Sequence, residues 1–440
     1  MRYIRRMIGG AIVFTAANSV FLKEYLDTWV ICAAFLGLAL IQIIPQWERK
    51  KIPLRRHRIC IGGCELLIYF LISVAGTTAY MLAWLPELIS GHRGLWIGNL
   101  FLCILLEGIT FWNGILRIYA CSAQIGIKWR VIGLLCGWIP VVNLFVLGKL
   151  LRLALEECWF ESGKILENRR RKPDRICQTR YPVLMVHGVF FRDFRYLNYW
   201  GRIPGELETN GAHIYYGKHQ SAASVADSGA ELSARIREIL RETGADKVNI
   251  IAHSKGGLDC RYAVSKLGMG EYVASLTTIN TPHRGCVFAD YLLGVIPEGV
   301  KEKVAAGYNA ALKKLGDENP DFLAAVTDLT ASNCRAFNEQ VKDVRGVYYQ
   351  SVGSRLNAAS EGRFPLNFSH DLVKYFDGPN DGLVAEDSFS WGERFTFLTT
   401  KGKRGISHGD MIDLNRENIP DFDVREFYVN LVRELKEKGF

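Results

Sequence analysis

The residues best suited to perform chemistry lie at 247–257, where the sequence KVNIIAHSKGG leads a short apolar run into a serine and two glycines. A helical pattern opens directly after those glycines. A serine at such a strand-to-helix joint carries its hydroxyl above a parallel sheet, where it can attack an acyl carbon. Small residues must flank it because the two backbones nearly touch there. Ser254 is therefore the candidate nucleophile.

This pattern is the nucleophile elbow of α/β-hydrolases, usually written G-x-S-x-G, with Ala252 in place of the first glycine. The serine needs an imidazole to take its proton and a carboxylate to orient that imidazole, in the chain order serine, acid, histidine. Among the later histidines, His283 comes too early to follow an acid, and His370 has no convincing acid before it. His408 comes last, in a loop after a strand, and is the predicted base.

The acid is expected in a loop at the end of a strand that precedes the histidine. The turn-rich segment 379–384 places Asp381 there. Cys260 is a poor alternative nucleophile because it falls inside the helix after the elbow. Three nearby carboxylates are expected to be solvated loop groups: Asp371, Asp377 and Asp387.

Two backbone N–H groups must stabilise the tetrahedral oxyanion. One belongs to the residue after the nucleophile, Lys255, and the other follows an early strand, which indicates Val189. His187 and His253 flank these turns and are expected to pack and hydrogen-bond rather than to move protons.

The elements that position these residues alternate between strands and helices from residue 181 onward. This alternation predicts a mostly parallel, doubly wound sheet over 181–440. A stretch at about 285–335 has helical character without a strand, as expected of an active-site lid, although a fixed packing subdomain fits the same pattern. Strands are predicted at 182–188, 212–217, 248–253, 273–280, 346–352 and 395–399.

The first 150 residues are dominated by apolar runs long enough to cross a bilayer, which predicts an all-α, multi-pass transmembrane domain followed by a basic juxtamembrane linker at 151–180. Residues 1–180 carry 23 basic and 11 acidic side chains, a net of +12, and the remainder has a net of −3. The basic charge therefore belongs to the membrane part, and a nucleic-acid partner is not needed to explain it. The predicted spans are Thr28–Ile44, Ile59–Leu85, Leu95–Leu116, Val131–Leu147 and, more weakly, Met7–Leu22.

The loop at 49–58 carries six basic residues, which favours a cytoplasmic position. Counting spans from there places the catalytic domain outside the cell. Pro140 and Asn143 leave an alternative open, in which the last run forms a re-entrant hairpin and the domain is cytoplasmic. Glu107 is the one carboxylate in the middle of a predicted span. Cysteine spacing indicates no zinc site and leaves disulfide pairing open.

From residue 181 to about residue 415 the chain resembles the bacterial true lipases of the Pseudomonas and Burkholderia type. The matching segments occur in the same order, which is far more specific than one pentapeptide. They are YPVLMVHG, YWGRIPGELETNGAHIYY, KVNIIAHSKGG, INTPHRG, DLTASNCRAFNE, NDGLV and the H-x-D at 408–410.

The resemblance implies a triad of Ser254, Asp381 and His408, the oxyanion donors Val189 and Lys255, a mobile lid, and hydrolysis of carboxylic esters of lipids. It also implies a structural calcium ion near the histidine loop, with Asp410 as one ligand. Glu361 and Asp371 are candidates for a second calcium ligand, without a matching motif.

The sequence thus predicts a membrane-anchored serine lipase or esterase with a lipid ester and the bilayer as partners. Lipid acyl transfer or thioester cleavage on the same triad is the alternative among enzymes. A hydrolase-like domain that only binds lipid is the non-catalytic alternative. A transport function is not favoured because few charged residues lie in the spans.

Overall fold

The chain folds as two compact units, the N-terminal unit (Met1–Arg170) and the C-terminal unit (Arg171–Phe440). The structure is a computed structural model that describes residues 2–45, 52–90, 93–189, 198–220, 222–314, 316–363 and 366–440. The eleven cysteines all lie within these ranges, and each carries a free thiol.

The described residues of the N-terminal unit form helices joined by turns and loops, and its centre is formed by α4, which packs along α1 and α6. Cysteine and aliphatic side chains from α4, α6 and α8 share one buried cluster. The helices are α1 Arg2–Ala17, α2 Ser19–Leu22, α3 Thr28–Ile43, α4 Arg55–Ala83, α5 Leu85–Ser90, α6 Arg93–Cys121, α7 Gly126–Cys136 and α8 Val142–Arg171.

Two of the described helices, α4 and α6, are long and apolar enough to cross a membrane by length and composition. Each has 29 residues, which gives a length of about 44 Å against a hydrocarbon core of about 30 Å. The apolar helix α3 is shorter, at 16 residues.

The run at Val131–Leu147 does not form the single continuous span that the sequence predicts. It is divided between α7 and α8, and Val141 lies between them with a φ of 69°. Pro140 has no N–H for the helix ladder, so the chain turns there. A turn at Pro140, which the re-entrant alternative requires, is therefore present, and α8 then continues through most of the segment predicted as linker.

The C-terminal unit alternates strands with helices. Its strands are β1 Val183–Val186, β2 Ile214–Tyr216, β3 Val248–His253, β4 Val273–Ile279, β5 Tyr348–Ser354 and β6 Arg394–Leu398. Its helices are α9 Ile203–Thr209, α10 Val225–Thr243, α11 Lys255–Lys266, α12 Val287–Val295, α13 Glu298–Lys314, α14 Phe322–Thr327, α15 Ala331–Gln340, α16 Leu366–Asp377 and α17 Val424–Glu437.

The six strands form one parallel sheet in the order β2-β1-β3-β4-β5-β6. Successive side chains of β1 point to opposite faces. Val183 and Met185 pack with α9 and α17, whereas Leu184 and Val186 pack with α10 and α11. Both faces of the sheet are thus covered, which confirms the predicted α/β fold. Ligands in such sheets bind beyond the carboxyl ends of the strands.

The chain between β4 and β5 contains α12, α13, α14 and α15, and no strand occurs among its described residues. This agrees with the helical character predicted for 285–335. Its role as a lid stays a prediction.

Candidate active site

The candidate nucleophile lies at the carboxyl end of β3, where Ser254 joins that strand to α11. Its backbone has a φ of 55° and a ψ of −131°, a strained conformation for a residue with a side chain. The Ser254 N–H donates to the Ile279 carbonyl at 2.9 Å, and the Thr281 hydroxyl donates to the Ser254 carbonyl at 2.8 Å. The end of β4 therefore holds the strained turn in place.

Three glycines permit this turn because their neighbours leave no room for a side chain. A Cβ at Gly256 would lie 2.4 Å from the His187 carbonyl oxygen, and one at Gly188 would lie 2.8 Å from the Cβ of Ser254. A Cβ at Gly257 would lie 2.2 Å from the Thr281 hydroxyl. The loops after β1, β3 and β4 thus meet closely around the serine.

The predicted acid and base are in direct contact. The Nδ1 of His408 lies 2.6 Å from the Oδ2 of Asp381, and the His408 N–H donates to the Asp381 carbonyl at 2.9 Å. Asp381 has no exposed surface and His408 is 6 % exposed. The two residues are 27 positions apart in sequence, so the contact depends on the fold rather than on local geometry.

The carboxylate of Asp381 is surrounded by donors. Its Oδ1 accepts from the N–H groups of Leu383 and Val384 at 2.9 and 2.8 Å, and its Oδ2 also accepts from the Asn280 amide at 2.6 Å. Both oxygens of this buried carboxylate are therefore satisfied by hydrogen bonds. Asn280, from the INTPHRG segment, is a site residue that the sequence analysis does not single out.

The His408 ring lies against the ring of His253, with 4.4 Å between centroids, and His253 directly precedes Ser254. Burial, with a further contribution from His408, lowers the pKa of His253 well below its usual range, so this ring stays neutral. The structure thus brings Ser254, His408 and Asp381 to the carboxyl edge of the sheet. His253 packs and hydrogen-bonds beside them, as its position in the turn predicts.

The backbone of Gly188 is held from two directions. His187 donates from Nδ1 to the Gly188 carbonyl at 2.8 Å, and the Gly188 N–H donates to the Tyr199 hydroxyl at 3.0 Å. The Tyr199 hydroxyl in turn donates to Nδ1 of His253 at 2.7 Å. Because a peptide is planar, fixing the Gly188 carbonyl also fixes the direction of the Val189 N–H.

The side chain of Lys255 points away from the chemistry. Its ammonium group lies 2.6 Å from Asp259 Oδ1 and 3.1 Å from the Ser228 hydroxyl, in a buried ion pair one helical turn apart. Burial raises the pKa of Asp259 to about 7, against the opposing effect of Lys255. The Lys255 side chain therefore takes no part in the site, and the oxyanion role of its backbone N–H stays a prediction.

The residues that the sequence analysis rejects as nucleophile, acid or base have other contacts in the structure. His283 lies between Thr278 Oγ1 at 2.9 Å and Arg261 at 3.2 Å, and burial lowers its pKa well below the usual range. His370 contacts Asp371 at 2.8 Å. Asp377 accepts from the first backbone N–H groups of α12, so it is a helix cap rather than the solvated group predicted. Cys260 is buried inside α11.

The carboxylate implied as a calcium ligand is already engaged. Arg404 Nη2 donates to Asp410 Oδ1 at 3.0 Å, its Nη1 lies 3.0 Å from Oδ2, and the Ser407 N–H donates to Oδ2 at 2.8 Å. Glu361 is exposed and Asp371 is paired with a histidine. Within the described ranges, no group of three or more His, Cys, Asp or Glu side chains is placed to hold a metal ion. The arrangement around Asp410 therefore does not fit a calcium site.

Comparison with known proteins adds independent support for the chemistry. The chain is 35% identical over 287 residues to a triacylglycerol lipase of Vibrio cholerae, which covers 60% of this chain and 89% of that lipase. It is 29% identical over 301 residues to a triacylglycerol lipase of Pseudomonas fragi, and the match covers 60% of this chain and 99% of that lipase. A triacylglycerol lipase of Burkholderia plantarii is 36% identical over 177 residues, and the match covers 38% of this chain and 49% of that lipase.

Solved structures also resemble this chain. The lipase BlEst2 of Bacillus licheniformis is 24% identical, with 57% of this chain and 91% of that chain covered and a TM-score of 0.43. The Staphylococcus hyicus lipase is 17% identical, with 59% of this chain and 97% of that chain covered and a TM-score of 0.46. No family model matches the chain.

Proposed function

This chain belongs to the triacylglycerol lipase family and is a carboxylic-ester hydrolase of lipids, and from that premise we propose that a Ser254–His408–Asp381 triad performs the hydrolysis beside a membrane. The contact that carries the proposal is the 2.6 Å hydrogen bond between Asp381 and His408, at the sheet edge where Ser254 forms its strained turn. The order of the matching segments further favours the Pseudomonas and Burkholderia type.

In the first half of the reaction, the Nε2 of His408 takes the Ser254 proton while Oγ attacks the ester carbonyl carbon. The backbone N–H groups of Val189 and Lys255 donate to the oxyanion. Asp381 stabilises the imidazolium that forms. Collapse of the intermediate breaks the bond to the alcohol, which leaves with the proton from His408.

In the second half, His408 takes a proton from water, and the resulting hydroxide attacks the acyl-enzyme carbonyl. The same two N–H groups hold the second oxyanion. Its collapse returns the proton to Ser254 and releases the carboxylic acid, so the enzyme ends as it began.

We assign the membrane role to the N-terminal unit, with α4 and α6 as bilayer-spanning helices. Glu107, which is buried on α6, has partners inside the unit. Glu107 accepts from the Ser73 and Thr77 hydroxyls, each at 2.7 Å. An extracellular position for the C-terminal unit stays a prediction, as does passage through more than two spans.

The test is Ser254→Ala in the full chain, assayed with a p-nitrophenyl acyl ester and a fluorophosphonate probe. We expect hydrolysis to fall by a factor of about 10⁴ or more, because the nucleophile is removed, and covalent labelling to disappear. Ser360→Ala removes an exposed serine hydroxyl and serves as the control. Labelling of the Ser254→Ala protein at the level of the control would overturn the assignment.

A further inference from the structure

The N-terminal unit contains a cavity of about 360 Å³ at the end where α3 stops, α4 begins and α6 nears its last turn. Three arginines line it, Arg55, Arg58 and Arg117. We name it the arginine cavity. Its volume is in the range of pockets that hold small ligands.

The positive charge of the arginine cavity is not neutralised by a carboxylate within the described part of the chain. Arg117 donates to the Gln42 carbonyl at 2.6 Å and to the Asn113 side-chain oxygen at 2.8 Å, which are both neutral acceptors. No ion pair involves Arg55 or Arg58 among the residues that the structure describes.

Other arginines of the same unit do have carboxylate partners. Arg6 pairs with Glu65 at 2.8 Å, and Arg56, between the two α4 arginines of the cavity, pairs with Glu157 at 3.4 Å. Neighbouring positions on one helix thus differ in whether their charge is matched. On α4, the two arginines without a carboxylate partner are the ones that line the cavity.

The remaining wall of the cavity is apolar. Ile44, Pro45 and Ile59 contribute to it, beside the apolar length of α4. A free inorganic anion would gain nothing from such a wall. A ligand with an anionic head and a hydrocarbon body would contact both surfaces, which favours a lipid over free phosphate.

We propose that the arginine cavity binds the phosphate headgroup of an anionic phospholipid, with the start of its acyl chains against the apolar wall. Guanidinium groups match phosphate oxygens in geometry and charge, and basic pockets between membrane helices are suited to such headgroups. This inference rests on the proposed membrane role of the N-terminal unit and is independent of the proposed triad.

The test uses the full chain in nanodiscs of neutral phosphatidylcholine, titrated with phosphatidic acid and followed by native mass spectrometry of retained lipid. Arg55→Gln combined with Arg58→Gln is expected to weaken retention of phosphatidic acid about 30-fold, at roughly fivefold for each charge. The control is Arg152→Gln, which removes one charge from an exposed pair with Glu156 on the same unit and should leave retention unchanged.

Equal retention by the double variant and the control would overturn the inference, as would equal retention of phosphatidylcholine and phosphatidic acid by the unmodified protein. Displacement of the lipid by millimolar inorganic phosphate would show that the cavity recognises free phosphate instead. A chain that fails to enter neutral nanodiscs contradicts the membrane role and this inference with it. Hydrolysis of a soluble p-nitrophenyl ester should be unchanged in the double variant, so the triad is tested separately.

Discussion

Asp381 in the C-terminal unit and Glu107 in the N-terminal unit differ in what surrounds their buried carboxyl groups. In the C-terminal unit, Asp381 accepts hydrogen bonds from two backbone N–H groups, an amide and a histidine. In the N-terminal unit, Glu107 has two hydroxyl donors and Glu65 has one arginine. The comparison teaches that backbone donors hold the Asp381 carboxylate beside reacting groups, whereas only side chains of a neighbouring helix donate to Glu107.

Among the substitutions that test this difference, Asp381→Asn has the largest expected effect. An asparagine keeps the size of the side chain, but it donates from its amide and cannot stabilise a histidine cation, so we expect kcat to fall by about 10⁴. The measurement is kcat on a soluble acyl ester. Asp371→Asn is the matched control, since that carboxylate is 75% exposed. Similar kcat values for the two variants would show that Asp381 is not the catalytic acid.

The next largest effect concerns the histidine loop. The Arg404 guanidinium contacts both oxygens of the buried Asp410 carboxylate in this loop. Arg404→Gln leaves the buried Asp410 charge unpaired and is expected to lower the free energy of unfolding by about 3 kcal/mol. Chelation with EDTA is expected to leave the activity of the unmodified protein unchanged. Thermal unfolding and an ester assay measure the two effects.

Arg394→Gln is the control for that experiment, because Arg394 and Glu434 form a pair that is largely exposed. Its expected cost is below about 1 kcal/mol. Loss of activity in EDTA, restored by calcium, would contradict the role assigned to Arg404.

A smaller effect is expected from Tyr199→Phe. The hydroxyl links the Gly188 N–H to His253, and without it the Val189 N–H is less well directed at the oxyanion. We expect kcat to fall about tenfold with KM unchanged, because the loss affects the transition state. Tyr428→Phe also removes a buried hydroxyl, which donates to the Met411 carbonyl at 3.0 Å, and should reduce stability without lowering kcat. Equal kcat in the two variants would refute the positioning role.

The smallest effect is expected in the N-terminal unit. Glu107→Gln keeps an oxygen that accepts from Ser73 and Thr77, so the change in the free energy of unfolding should stay below about 1 kcal/mol. Ester hydrolysis should match that of Glu24→Gln, an exposed control on the same unit. A selective loss of hydrolysis in Glu107→Gln would mean that this carboxylate has a functional role, and the comparison between the units would fail.

The sequence predicts the strands and the order of the site residues well because both depend on local patterns. Each of the six predicted strands is present, and Asp381 and His408 are found in contact. The partners of these residues are not predictable in the same way. Asn280 reaches Asp381 across 101 positions, a contact between the end of β4 and the turn after α16 that no local pattern predicts.

The contact of Arg404 with Asp410 is also not predictable from the sequence, because a turn rather than a motif places the guanidinium. The division of the Val131–Leu147 run into two helices is a further feature that hydropathy does not predict. Hydropathy alone suggests one helix there. The missing N–H of Pro140 and the left-handed backbone of Val141 end it. Hydropathy reports which segments prefer apolar surroundings, but it does not report where a helix must stop.

The lack of space at Gly188, Gly256 and Gly257 also limits how this protein can be changed by laboratory evolution. Substitutions at these positions disturb the turn before they alter substrate choice. Variation is better tolerated on α12 and α13, where Tyr291 and Val300 are about half exposed, at 50% and 49%. Variants from libraries restricted to those exposed positions should shift the ratio of rates on butyrate and palmitate esters. Libraries that vary the three glycines should yield mainly inactive protein.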